Sequence, residues 1–66
     1  MSNLKQKRES AGLSQSQLAK ASDVNVRLIQ DYEQGHKNIN AAKAITLYKL
    51  SKALNCEMGD LIENEE

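Results

Sequence analysis

Within the twenty-two residues from 14 to 35 the chain carries two helix starts and two helix stops, which leaves room for two short helices joined by a tight turn and little else. Ser14-Gln15-Ser16-Gln17 fits a capping box, in which the Ser14 hydroxyl accepts from the Gln17 amide and the Gln17 side chain reaches back. The helix it opens is predicted to stop near Ser22. Asp23-Val24-Asn25 then interrupts the pattern, Asn25 caps a third helix over 26–34, and Gly35 ends it in a left-handed conformation that suits glycine. Leu18, Val24, Ile29 and Tyr32 are predicted to share the inner face of the pair, and the small Ala19 permits close approach of another helix.

The flanking segments are also helical. A first helix is predicted from about Asn3 to Ala11, capped by Ser2 and closed by Gly12. After a polar loop from His36 to Asn40, apolar residues at 44, 45, 47, 48, 50 and 54 predict a long amphipathic fourth helix capped by Asn40 and terminated by Asn55. A fifth, from about Met58 to Glu63, offers Met58, Leu61 and Ile62 before an acidic end. Strands favour aromatic and β-branched residues, and this chain has only two tyrosines among its aromatics and no proline. The expectation is an all-α, five-helix compact fold, with residues 1–66 as one domain. Sixty-six residues is near the lower size at which a core forms without disulfides or metal.

Several function classes are excluded on residue supply. No apolar run reaches the roughly 18 residues of a membrane span, and the N-terminus lacks a signal-peptide core, so a cytoplasmic protein is expected without a membrane partner. Cys56 and His36 are the sole cysteine and histidine, too few for a zinc site, and no cofactor is expected. No clustered nucleophile, base and acid accompany them, so no catalytic residues are assigned and an enzyme is not expected. Cys56 reads as a small hydrophobe between the last two helices, and His36 as a solvated side chain or a phosphate neighbour.

Gly12-Leu13-Ser14-Gln15-x-x-Leu18-Ala19, then Val24-Asn25, then Ile29-x-x-Tyr32-Glu33-x-Gly35 resembles the Cro/repressor-type helix-turn-helix family of bacteria and phages. Leu50-x-x-Ala53-Leu54 and Asp60-Leu61-Ile62 extend the resemblance over nearly the whole chain. It implies a lambda-repressor-like DNA-binding fold in which the helix over 26–34 enters the major groove while its predecessor crosses the backbone. The outward residues of that helix are Val26, Arg27, Gln30 and Asp31, with Leu28 at the border.

By the same resemblance, Val26, Arg27 and Asp31 meet base edges and Gln15 meets a phosphate or an outer base. Arg27 suits a guanine, whose O6 and N7 accept two hydrogen bonds from one guanidinium, and Val26 or Leu28 suits a thymine methyl. Asp31 either accepts from a cytosine amino group or holds Arg27 at i, i+4, and both readings stay open. Lys37 and Asn38 are candidate phosphate contacts in a loop about three residues longer than in familiar members. Arg8 and Glu33 are expected to form an internal ion pair.

Residues 1–38 hold six Lys/Arg against four Asp/Glu, and residues 39–66 three against five, so a chain with no net charge has a positive reading half. Because phosphate neutralisation supplies most non-specific affinity, weak binding as a monomer is expected, with a homodimer on a palindromic double-stranded operator as the working form. Leu54, Cys56, Met58, Leu61 and Ile62 either form the dimer surface or close the monomer core. A second reading is an antitoxin or protein-interaction module whose principal ligand is a partner protein. Neutral charge and Asp31 favour it, while the lack of a segment to wrap a partner weighs against it.

Overall fold

A computed structural model describes residues 2–63, so Met1 and the end of the acidic tail, 64–66, lie outside the described residues. Four α-helices follow one another: α1 (Asn3–Ser10), α2 (Gln15–Ser22), α3 (Val26–Gln34) and α4 (Ala44–Leu54). Short 3₁₀ helices occupy Ile39–Ala41 and Met58–Leu61.

Local side-chain chemistry sets most of these boundaries. The Lys5 amide donates to Ser2 Oγ at 3.1 Å and starts α1, and Gly12 follows its end at φ 72°. At the start of α2 the Gln17 amide donates to Ser14 Oγ (3.1 Å) while the Ser14 amide donates to Gln17 Oε1 (2.8 Å), so two otherwise unpaired donors are satisfied reciprocally. Asp23 ends that helix with φ 59°, a conformation that short polar side chains tolerate, and the chain then turns through Val24. The Arg27 amide donates to Asn25 Oδ1 at 2.8 Å to open α3. Gly35, at φ 80°, closes it.

Among the described residues, nine side chains form the core: Leu4 of α1, Leu18 of α2, Val24 of the turn, Ile29 of α3, Leu47, Leu50 and Leu54 of α4, and Ile39 and Leu61 of the 3₁₀ helices. Leu50 is fully buried at the centre of α4, and α2 packs against both α3 and α4. Burying each such side chain contributes about 1.5–3 kcal/mol, which holds the α2–α3 pair rigidly on a scaffold of the other two helices. Tyr32 and Leu28 are half-buried at the margin of this core.

Three expectations are corrected. The fourth helix starts at Ala44 after Lys43, not after Asn40, because the Asn40 side chain is engaged elsewhere. Its Nδ2 donates to the Glu63 carbonyl (2.7 Å) and its Oδ1 accepts from the Glu63 amide (2.8 Å). The expected fifth α-helix is instead the four-residue 3₁₀ helix Met58–Leu61. Finally, Ile39, placed by its polar neighbours in a loop, is 4% exposed, whereas Ile45 and Tyr48 of the amphipathic pattern are 57% and 50% exposed.

Glu63, which holds Asn40, and its neighbour Ile62 also meet Asn3 of α1. Asn3 Nδ2 donates to the Ile62 carbonyl (2.9 Å), and the Asn3 amide donates to Glu63 Oε2 (3.1 Å), which ties the last described residues to the first turn of α1.

Candidate nucleic-acid interface

Helix α3 presents its outer face at residues 26, 27, 30 and 31. Arg27 extends into solvent with its side chain 80% exposed, while Val26 and Gln30 are half-buried. Leu28 rests against the core, so only part of it remains available to a ligand. The Asp31 side chain is only 15% exposed, and its Oδ1 lies 3.5 Å from Arg27 Nε. This contact engages the Nε edge of the guanidinium, whose side chain is otherwise largely open to solvent.

Arg27 and Asp31 stand in an order that the helix itself does not favour. Cations are stabilised near a helix C-terminus and anions near the N-terminus, yet here the cation lies in the first turn and the anion toward the last. His36 Nδ1 lies 3.6 Å from the same Oδ1, on the other side of the chain turn at Gly35.

The remaining candidate contacts, Gln15, Lys37 and Asn38, lie outside α3. Gln15 turns inward, its Nε2 donating to Glu33 Oε1 at 3.0 Å. The Asn38 side chain accepts from the Asn40 amide (2.9 Å) and so caps the 3₁₀ helix Ile39–Ala41, while Lys37 is exposed. Both stand in the loop that leaves α3, close to its C-terminal end.

Glu33 occupies the inner side of α3 and is the hub that fixes the helix against its neighbours. Arg8 Nε donates to Glu33 Oε2 at 2.7 Å and Arg8 Nη2 to Oε1 at 3.1 Å, with the two side chains 11% and 3% exposed. Arg8 Nη1 also donates to the Leu13 carbonyl at 2.8 Å, so one guanidinium ties α1, the turn before α2, and α3 together. The hydrogen bond that Arg8 donates to Glu33 raises the Arg8 pKa further above its ordinary value, although burial opposes this.

The inward turn of Gln15 and the approach of His36 to Asp31 were not anticipated. For His36 a signal was present in Gly35. A left-handed residue at that place lets the His36 amide donate back to the Asp31 carbonyl (2.8 Å), which brings residue 36 beside residue 31. For Gln15, whose partner is eighteen positions away, the local sequence carries no such signal.

For the last two helical segments, where a dimer surface and a monomer core were both open readings, the packing favours the core. Leu54 and Leu61 are buried in the monomer, and Cys56, Met58 and Ile62 pack half-buried around them, so these residues close the core. Burial also raises the Cys56 pKa, with the neighbouring Asp60 adding to the shift. Among the described residues no group of three or more His, Cys, Asp and Glu could hold a metal ion, and no helix is long and apolar enough to cross a membrane.

A family model described as helix-turn-helix matches residues 4–61. Comparisons with curated proteins and with solved structures returned no significant match.

Proposed function

The chain belongs to the Cro/repressor-type helix-turn-helix family of DNA-binding regulators, and from that premise we propose that it is a repressor that reads a specific double-stranded sequence with α3. The observation that carries this reading is the outer face of α3: an exposed guanidinium at Arg27, steadied on one edge by Asp31 and flanked by Val26 and Gln30. A side chain buttressed in this way enters a groove with less freedom to lose, which favours a guanine contact over diffuse attraction to phosphates. In this account Val26, Arg27, Gln30 and Asp31 face the base edges, with the exposed part of Leu28 at their margin. Lys37 and Asn38 lie toward the backbone, and Gln15, whose Nε2 also donates to Glu33, lies toward a phosphate or an outer base.

The working form is a homodimer on a palindromic operator, with half-sites about one helical turn apart, ~34 Å, so that two copies of α3 meet one side of the duplex. The absence of net charge supports this, because one small neutral module gains little affinity from counterion release and two linked modules gain more. Ile45 and Tyr48 are the large apolar side chains that the monomer leaves exposed on α4, and Lys52 Nζ sits 5.8 Å from the Tyr48 ring centroid.

Selection from a randomised duplex library tests the reading. Enrichment of a palindrome whose affinity falls steeply with salt is expected. Recovery of no preferred sequence at low salt contradicts it and favours a protein ligand, the alternative that neutral charge also fits.

A further inference from the structure

One carboxylate oxygen, Asp31 Oδ1, stands between two groups that can carry positive charge, with Arg27 Nε at 3.5 Å and His36 Nδ1 at 3.6 Å. The imidazole is held there by the backbone. His36 and Lys37 amides both donate to the Asp31 carbonyl, at 2.8 and 3.2 Å, so the chain beyond Gly35 folds back over the last turn of α3. Asp31 is largely shielded from water at 15% exposure, whereas the His36 side chain is 64% exposed and open to exchange protons. Arg27 lies beyond Asp31 on α3 and Lys37 follows His36 in the chain. Among the described residues, no ion pair reaches His36 from α1, α2 or α4.

We infer that His36 is a specificity-determining residue that acts through Asp31, which is the positioning residue for Arg27. This assignment rests on the proposal that α3 reads DNA. With His36 neutral, the Asp31 carboxylate is available to Arg27 Nε and holds the guanidinium by that edge. When the imidazole carries a proton, the imidazolium competes for Oδ1 and the carboxylate's hold on Arg27 loosens. The same proton adds a positive charge beside the C-terminal end of α3, near the loop proposed to face phosphates. The two consequences have opposite signs: lower pH gives tighter binding to any duplex and weaker discrimination at the base pair that Arg27 reads. A histidine that merely touched a phosphate would produce the first effect alone.

The test compares wild type with His36→Gln on the selected operator and on the operator changed at the Arg27 base pair, at pH 8 and pH 5.5. Circular dichroism at both values confirms that each protein remains folded. Wild-type discrimination is expected to fall roughly two- to five-fold at the lower pH, the factor corresponding to loss of one exposed pair. Affinity for a random duplex rises at the same time, and in His36→Gln discrimination stays at its high-pH value. Discrimination that ignores pH in the wild type, or that changes equally in His36→Gln, overturns the role of His36 and leaves the DNA reading intact. A chain that prefers no sequence at either pH contradicts the DNA reading and this assignment with it.

Discussion

Glu33→Ala is the substitution whose effect the structure constrains most tightly. The carboxylate accepts two hydrogen bonds from Arg8 and one from Gln15, with its side chain only 3% exposed. Alanine removes all three and leaves the Arg8 guanidinium, itself 11% exposed, with the Leu13 carbonyl as its remaining acceptor. Breaking one partner of a buried pair costs about 3–5 kcal/mol, and the slight exposure of Arg8 places this case near the lower figure, ~3 kcal/mol. For a domain of this size each kcal/mol lowers Tm by about 4–8 °C, so a fall of roughly 12–24 °C is expected. Thermal and urea unfolding followed by circular dichroism measure it.

Glu33→Gln, which keeps the shape and one acceptor, is expected to lose less. Joint replacement by Arg8→Met and Glu33→Leu is expected to recover much of the loss, because no stranded charge remains. A Glu33→Ala melt within about 4 °C of wild type, equivalent to no more than ~1 kcal/mol, refutes the reasoning. So does a double substitution whose cost equals the sum of the two single ones.

Two further effects follow from particular contacts. Burial raises the pKa of Tyr32 and of Cys56 above their ordinary values of 10.0 and 9.0, so the folded chain keeps protons that the unfolded chain releases. Their contribution is full below those ordinary values and is lost as pH rises through the folded ones. Urea midpoints are therefore expected to decline above about pH 9, with a shallower decline in Tyr32→Phe and Cys56→Ala. Asn40→Ala removes two hydrogen bonds to the Glu63 backbone, at 2.7 and 2.8 Å, and is expected to cost about 1–3 kcal/mol. Hydrogen exchange should show faster exchange at the Glu63 amide; unchanged protection there contradicts the assigned role of Asn40.

Elements whose limits depend on neighbouring residues were legible in the sequence. The Ser14–Gln17 capping box, the Asn25 cap and the left-handed Gly35 are interactions over two to five positions, and they bound the α2–α3 pair where the residue pattern places them. Elements decided by distant partners were not legible. Asn40 has the chemistry of a helix cap but spends it on Glu63, twenty-three positions on, and α4 starts later in consequence. Ile39 is drawn into the core although its neighbours are polar, while Ile45 and Tyr48 lie on a flank of α4 that nothing in the monomer covers. On α3, the i, i+4 spacing of Arg27 and Asp31 anticipates their contact, whereas the similarity that assigned Gln15 to a phosphate or an outer base could not register its attachment to Glu33.

The central claim is that α3 reads base edges through Arg27, and the most direct measurement is the base preference of Arg27→Ala on the selected operator. Fluorescence anisotropy against every single-base variant of one half-site supplies it. Wild-type preference is expected to relax by about 1–3 kcal/mol at one base pair, repeated symmetrically in the second half-site, with other positions unchanged. A uniform loss of affinity over all variants, with every preference retained, would make Arg27 a phosphate contact and contradict the claim.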